Sequence, residues 1–236
     1  MTTNITMLVA NRPRLTKQAL DSIGDLSDAT VTIRDAGMNT EVFDAVNKWT
    51  LSIPTVRLGY SICPDPLGTG PARNQVIEFS EKQFGRGNYL YISDEDVFYK
   101  RHDWLSILIK SYEESWKYRY RMIGAYNHPY NGPIAGEQWV KSGEYAVYPV
   151  YALASQSILM RWSVFDEFGP FCQTPAGKVC QSEDVDLSNK IRAAGYKVGV
   201  ISPALLVNTG ITNSFGEKIV GWEMVAKEAP QGVVIE

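Results

Sequence analysis

Two carboxylates that lie two residues apart follow an apolar run in the segment Tyr89-Leu90-Tyr91-Ile92-Ser93-Asp94-Glu95-Asp96. Alternate residues of an extended segment point the same way, so Asp94 and Asp96 are predicted to face one point. Like charges there repel unless a cation lies between them, and hard oxygen ligands suit Mg²⁺ or Mn²⁺ shared with substrate phosphates. The alternative is a solvated acidic turn after a strand. An EF-hand loop is excluded, because Phe98 and Tyr99 occupy positions that need an oxygen ligand and a glycine.

A second acidic group stands later in the chain, in the sequence Ser182-Glu183-Asp184-Val185-Asp186. Leu187 and Ile191 follow it at helical spacing, so the acids are predicted to open a helix that Ser182 could cap. Acidic residues in a first turn are favoured by the helix dipole, which is a sufficient structural explanation. The functional alternative is a carboxylate held at a helix N-terminus beside a metal site and acting as a general base.

The elements that must position these acids alternate between strand and helix in the first half of the chain. Apolar patterning predicts strands over residues 5–10, 29–34, 53–58 and 89–93, and helices over 15–23, over 40–51 and from Pro71 onward. This alternation predicts βαβ units in an α/β fold with a mostly parallel central sheet flanked by helices. Such sheets bind ligands at the carboxyl ends of their strands, where Asp94 and Asp96 would lie.

The second half has a less regular pattern. Residues 104–116 and 183–194 are predicted helices, the latter ended by Gly195, and residues 121–125, 147–160 and 196–201 are predicted to be extended. Residues 127–144 are rich in Gly, Pro and aromatic residues and are predicted to form a long loop, a type that is often functional. The aromatic residues Trp139, Tyr145, Tyr148 and Tyr151 either pack in the core or form a platform for a sugar ring.

Length and composition exclude several classes of protein. The chain has 236 residues, of which 44% are hydrophobic and 21% charged, so it is neither disordered nor fibrous. The formal net charge of −3 does not favour nucleic acid as a partner. Three cysteines without zinc spacing predict a reduced, cytoplasmic protein, and no apolar run is long enough to be a transmembrane segment.

Further short motifs occur along the chain, before, between and after the two acidic groups. Asp35 ends the second predicted strand, and later motifs are Gly70-Pro71-Ala72-Arg73-Asn74, Phe-Asp-Glu-Phe-Gly at 165–169, and Gly195-Tyr196-Lys197-Val198. With the two acidic groups, this series resembles the GT-A glycosyltransferases, specifically those like family 2, over roughly residues 4–210. The resemblance implies a GT-A, Rossmann-like, nucleotide-sugar binding fold. It also implies a single domain over 1–236, with a nucleotide-sugar binding half at 1–97, an acceptor and catalytic half at 98–210, and a tail at 211–236.

The resemblance implies a role for each matching residue. The nucleotide-sugar binding set would be Ala10, Asn11, Arg12, Asp35, Arg73, Asp94 and Glu95. Asp96 would bind the metal directly, with Asp94 beside it, and Asp184 would be the catalytic base while Glu183 orients the site. Many relatives supply a late histidine as a further metal ligand; Asn208 stands in that place here, with an amide oxygen as a weaker ligand. Without a family role, Asp35 is a turn residue and Arg73 a surface helix residue.

The implied activity is that of a hexosyl- or pentosyltransferase. It would use Mn²⁺ or Mg²⁺ to move one sugar from a nucleotide-diphosphate donor to a glycan or other hydroxyl acceptor, with inversion. A nucleotidyltransferase is the first alternative, but the sequence Asn11-Arg12-Pro13-Arg14 after the first strand lacks the glycines of a phosphate loop. A non-catalytic nucleotide-sugar binding module is the second. It is opposed by the presence of Asp94, Asp96 and Asp184 and supported by Asn208.

Overall fold

The computed structural model describes residues 2–24, 26–63, 68–126, 132–172, 183–210 and 231–236. The strands are β1 Thr3–Val9, β2 Ala29–Asp35, β3 Arg57–Ile62, β4 Tyr89–Asp94, β5 Val97–Tyr99, β6 Tyr120–Gly124, β7 Val140–Ser142, β8 Tyr145–Val150, β9 Ser157–Arg161, β10 Lys197–Ser202 and β11 Leu206–Asn208. The helices are α1 Pro13–Ser22, α2 Thr40–Ser52, α3 Thr69–Phe84, α4 Trp104–Trp116, α5 Trp162–Phe168 and α6 Glu183–Ala193.

One sheet runs through both halves of the described chain, in the strand order β3-β2-β1-β4-β9-β6-β10-β8-β7. The first four of these strands are parallel, and helices connect them. In β1, β2 and β4 the side chains are buried on both faces, as Ile5 and Thr6 are in β1, which is typical of a parallel sheet covered by helices; β3, at the edge, is more exposed. The predicted α/β fold is therefore confirmed, and the parallel pairing holds for the first four strands.

The later strands make the sheet mixed. β9 is antiparallel to both β4 and β6, and β8 is antiparallel to β10, whereas β10 and β6 are parallel. The sequence could not separate these cases, because Ser157–Arg161 is buried on both faces like a parallel strand. β5 and β11 form a separate two-stranded antiparallel sheet, which the sequence did not predict.

Helices cover the sheet on two sides. On one side α1, α2 and α4 bury a cluster that includes Trp49, Trp104 and Tyr112. On the other side α3, α5 and α6 bury a second cluster that includes Ile77 and Leu187. The result is a three-layer α/β/α arrangement in which the helices fix the ends of the strands.

Several predicted boundaries were wrong. The third strand was predicted at 53–58 but lies at Arg57–Ile62, because α2 continues to Ser52 and the chain turns before it becomes extended. Phe43 in α2 is 48% exposed and packs edge-on against Tyr60. The predicted loop at 127–144 contains β7, and its residues 127–131 lie outside the described residues, as does Ser182. Among the described helices, none combines the length and apolar character needed to cross a bilayer.

Candidate active site

The carboxyl ends of β1, β2 and β4 meet at one edge of the sheet. Val9 of β1 pairs with Asp35 of β2. On the opposite side of β1, Leu8 pairs with Asp94 of β4. Parallel strands in register place the residues that follow them side by side. The structure therefore brings the segment after β1, Asp35 and the acids after β4 to the same edge.

Arg73 connects the two acidic groups of the sequence. It lies in α3 and is 1% exposed. Its Nη2 donates to both carboxylate oxygens of Asp94, at 2.8 and 2.9 Å, and its Nε donates to Glu183 Oε1 at 3.0 Å. Burial lowers the pKa of Arg73, but the two carboxylates outweigh burial and raise it, so the guanidinium stays charged.

This geometry rules out one of the two readings of Arg73, that of a surface helix residue. Its place near the nucleotide, which the resemblance implies, stays a prediction. The structure buries the guanidinium among protein groups, where it offsets the charges of Asp94 and Glu183. Arg73 thus holds the end of β4 against the start of α6.

Asp184 lies at the start of α6 and is 9% exposed. Its Oδ2 accepts the backbone N–H of Ser155 at 3.0 Å, and its Oδ1 accepts the N–H of Val185 at 2.7 Å. The Ser155 hydroxyl oxygen in turn accepts from Arg73 Nη2 at 2.9 Å. The carboxylate is therefore fixed by backbone donors, and its neighbour Glu183 is turned toward Arg73.

Asp96 is a buried carboxylate that lacks part of its hydrogen bonding. Arg12 Nη1 lies 3.3 Å from its Oδ2, while its Oδ1 is buried without a hydrogen-bond partner. Burial raises the pKa of Asp96, and the charge of Arg12 opposes the rise. A buried carboxylate oxygen without a donor is costly, and a cation would satisfy it.

The backbone beyond β11 packs directly on Asp96. Thr209 N–H donates to the Asp96 carbonyl at 2.7 Å, and a Cβ atom built on Gly210 would lie 2.2 Å from Asp96 Oδ2. Only glycine allows this approach. Asn208, which is paired with Val97 across the small sheet, is thereby brought next to Asp96, as the sequence order suggested.

The expected metal ligands are not all equivalent. Asn208 Oδ1 accepts the N–H of Gly210 at 2.8 Å, while its Nδ2 and the Thr209 hydroxyl are buried without partners. Asp94 is directed toward Arg73, and burial raises its pKa against the effect of that guanidinium. In the described ranges no three His, Cys, Asp or Glu side chains converge to hold a metal. Among these residues, Asp96 Oδ1 is the buried carboxylate oxygen that no hydrogen-bond donor satisfies.

The side chain of Glu95 is directed away from Asp96 and toward α1. Its Oε2 accepts the N–H of Ala10 at 2.7 Å and the hydroxyl of Thr16 at 3.0 Å. Burial raises the pKa of Glu95 to about 8. Glu95 thus fixes the segment after β1, in which Asn11 has a φ of 56° and packs against the backbone of Gly37.

Asp35 is 1% exposed at the end of β2. Its Oδ1 accepts the N–H groups of Gly37 and Met38 at 2.8 and 3.1 Å, and its Oδ2 accepts the Tyr60 hydroxyl at 2.7 Å. These contacts form the turn that was the alternative for Asp35 in the sequence. Both carboxylate oxygens of Asp35 therefore hold protein groups, one the turn at Gly37 and Met38 and the other Tyr60.

Comparison with solved structures identifies the architecture. A mannosyltransferase from Pyrobaculum calidifontis in complex with GDP-Man and Mn²⁺ aligns with a TM-score of 0.63 at 16% sequence identity. GalNAc-T7 with UDP, GalNAc and Mn²⁺ aligns with a TM-score of 0.62 at 14% identity. The protein has the GT-A fold of these glycosyltransferases. No protein-family model matches the sequence, and no curated protein matches it.

The GT-A fold match includes most of this chain and about half of its neighbours. The alignments cover 84% and 85% of this chain but 56% and 42% of the two solved chains. The chain therefore spans about half of the length of each neighbour.

Three residues of the candidate site within the GT-A fold were missed by sequence reasoning. Ser155 links Arg73 to Asp184, Thr16 holds Glu95, and Gly210 makes room for Asp96. Ser155 and Thr16 carry no sequence signal, because single hydroxyl residues are common. Gly210 lies two residues after Asn208, so a glycine close to a candidate ligand was the one usable signal.

Proposed function

We propose that this protein is a glycosyltransferase that moves one hexosyl or pentosyl group from a nucleoside-diphosphate donor to an acceptor hydroxyl, with inversion. The observation that carries the proposal is the link through Arg73, which contacts Asp94 and also Glu183, 110 residues further along the chain than Arg73. It sets a carboxylate pair at the end of β4 beside a carboxylate fixed at the start of α6. A donor site beside a base is the arrangement that sugar transfer needs.

The donor side of the proposal includes a divalent cation. Both solved neighbours were obtained with Mn²⁺ and a nucleotide or nucleotide sugar, which supports Mn²⁺ or Mg²⁺ here. Asp96 and Asn208 would hold it, with Asp94 nearby, and the unpartnered Asp96 Oδ1 is the feature that fits. When bound, the cation would neutralise charge on the diphosphate. Ala10, Asn11, Arg12, Asp35 and Glu95 would shape the rest of the donor site.

The acceptor side uses Asp184. The acceptor oxygen attacks the anomeric carbon while the bond from that carbon to the diphosphate oxygen breaks, and Asp184 takes the hydroxyl proton. The electron pair of the broken bond leaves with the nucleoside diphosphate. Direct attack from the side opposite the leaving group inverts the anomeric configuration. Glu183 and Arg73 act as positioning residues, because Arg73 contacts both Glu183 and Asp94.

An aromatic pair supports a glycan as the acceptor. Trp139 stacks on Tyr148 with ring centroids 5.0 Å apart and an interplanar angle of 29°. Trp139 is 48% exposed while Tyr148 is buried, so one indole face is held rigidly for a sugar ring. Tyr145 lies elsewhere, since its hydroxyl accepts from Arg101 Nη1 at 3.1 Å.

The test is release of nucleoside diphosphate from a panel of UDP- and GDP-sugars in the presence of Mn²⁺. We expect at least one donor to be hydrolysed slowly by water and faster when a glycan acceptor is added. The variant Asp184→Asn should lose the acceptor-dependent part. Turnover of no nucleotide sugar, together with formation of pyrophosphate from a nucleoside triphosphate and a sugar phosphate, would instead show a nucleotidyltransferase. We further propose that residues 1–97 form the nucleotide-sugar binding half, that residues 98–210 form the acceptor and catalytic half with a tail at 211–236, and that the protein is cytoplasmic.

A further inference from the structure

Arg34 is a buried cation that the site described above does not use. It is the penultimate residue of β2 and is 2% exposed. Its Nε and Nη2 both donate to Gln75 Oε1, at 3.2 and 3.0 Å, and its Nη1 is buried without a hydrogen-bond partner. No carboxylate in the described part of the chain lies within ion-pair distance of Arg34. A buried guanidinium without an anion is less favourable than an apolar side chain of the same size.

The partner of Arg34 is a side chain that can move. Gln75 lies on α3 and is exposed to solvent, although it covers the guanidinium. Its Oε1 accepts two N–H groups of Arg34 and also the Cys63 thiol, with Sγ 3.8 Å away. A single neutral amide oxygen is a weak match for a planar guanidinium fork. A ligand that offers better acceptors can therefore replace Gln75 by rotating one exposed side chain.

The sheet register fixes where Arg34 lies relative to the acids after β4. Arg34 and Asp94 both pair with Leu8, from opposite sides of β1. Residues in register on parallel strands share a face, and two strand spacings amount to about 10 Å. Asp94 meets Arg73 of α3, and Arg34 meets Gln75 of the same helix. Arg34 thus stands at the same edge as the proposed diphosphate site but beyond the reach of the phosphates.

We propose that Arg34 reads the base of the nucleotide donor and selects uracil or guanine by the keto oxygen at O4 or O6. This inference rests on the proposed function, which places the diphosphate at Asp94 and Asp96. The part of such a donor that lies about two strand spacings, about 10 Å, from the phosphates is the nucleoside. A guanidinium carries only donors, so it donates to O4 of uracil or O6 of guanine. It disfavours cytosine and adenine, because they carry an amino group, which is also a donor, at the corresponding position.

The test is calorimetric binding of UDP, GDP, ADP and CDP to the full chain with Mn²⁺. For the wild type we expect UDP or GDP to bind on the order of tenfold or more tightly than ADP and CDP, as one good base contact gives. The tighter binder of UDP and GDP shows whether the base is uracil or guanine. Arg34→Met should remove the preference and leave ADP and CDP within about threefold of the wild type. An unchanged ratio of keto to amino nucleotides in Arg34→Met overturns the inference.

Gln75→Ala provides a second test, since an exposed residue can be changed without loss of the fold. If Gln75 covers a ligand-binding guanidinium, its removal should strengthen binding of the preferred nucleotide by a few-fold. If the pair is only structural, Gln75→Ala should lower the unfolding temperature and leave the nucleotide preference unchanged, which contradicts the inference. Binding of nucleotides without a base preference refutes the role of Arg34 alone. Failure of the wild type to bind any of the four refutes the proposed function as well.

Discussion

The side chain of Arg73 reaches Asp184 through a single residue, Ser155. Arg73 Nη2 donates to the Ser155 hydroxyl at 2.9 Å, and the Ser155 N–H donates to Asp184 Oδ2 at 3.0 Å. The same guanidinium holds Asp94 and Glu183. The proposed base is therefore linked through Ser155 to a residue of α3 that also contacts Asp94 of the proposed donor site.

Replacement of Arg73 should lower the free energy of unfolding far more than replacement of an exposed arginine that has the same number of carboxylate partners. Arg73→Met leaves Asp94 and Glu183 partly buried without a counter-charge, and we expect the free energy of unfolding to fall by about 3–5 kcal/mol. Arg86 pairs with Glu81 and Asp166, but its side chain is 42% exposed, so Arg86→Met should cost at most about 1 kcal/mol. Urea unfolding of both variants measures the difference. Equal losses would show that the buried cluster has no special role in stability.

Replacement of Asp184 should separate donor binding from transfer. Asp184→Asn keeps the shape of the side chain and removes its basicity. Transfer to an acceptor should fall by on the order of 10²- to 10⁴-fold, the usual contribution of a general base, while nucleotide-sugar affinity stays within a few-fold. The measurement pairs acceptor kinetics with donor calorimetry.

Asp186 gives the matched control for Asp184. It lies two residues further along α6, and its Oδ2 is 2.9 Å from Lys190 Nζ on the helix surface. Asp186→Asn should leave transfer within about twofold, because an exposed ion pair of this kind contributes little. If Asp186→Asn loses transfer and Asp184→Asn does not, the base has been assigned to the wrong carboxylate.

A methyl group at Gly210 should disturb Asp96. The added Cβ would lie 2.2 Å from Asp96 Oδ2, so either the carboxylate or the backbone must shift. Gly210→Ala should therefore weaken Mn²⁺-dependent binding of a nucleoside diphosphate by tenfold or more, on the order of one lost ligand contact. Gly132→Ala is the control, because no atom of the described residues lies within 4 Å of a Cβ built there. Equal affinities in the two variants would mean that Asp96 does not need its present position.

The alkaline stability of the protein should depend in part on Tyr89. Burial, followed by the hydrogen bond to Glu113, raises the pKa of Tyr89 to about 12. An unfolded tyrosine ionises near pH 10, so the folded state keeps a proton that the unfolded state loses. This contribution is complete below about pH 10 and is lost as the pH rises toward 12. Between these values the wild type should lose stability faster than Tyr89→Phe in chemical unfolding; parallel curves would contradict the assignment.

The sequence predicted the part of the fold that periodicity controls. The helix at Trp104–Trp116 and the strands before Asp35 and Asp94 were found because their apolar residues recur at a fixed spacing. β5 and β11 were missed, because three residues each give no usable period. The sequence left the direction of β9 undetermined for a different reason. A strand that is buried on both faces has the same pattern in parallel and antiparallel pairs.

The candidate site was predictable in position but not in detail. Acids that follow a strand must lie at the carboxyl edge of a parallel sheet, so Asp94 and Asp96 could be placed there. The burial of Arg73 could not be predicted, because its ion pairs join residues 110 positions apart. The same holds for Arg34, whose cover Gln75 comes from another element.

Calorimetry of nucleoside diphosphate binding to Asp96→Ala tests the central claim most directly. Asp96 carries the buried oxygen without a partner, and it is the proposed direct ligand of the cation. We predict that Mn²⁺ strengthens the binding of UDP or GDP to the wild type and that Asp96→Ala abolishes this effect, leaving the metal-free affinity. An unchanged affinity for UDP or GDP in the presence of Mn²⁺ would contradict the account.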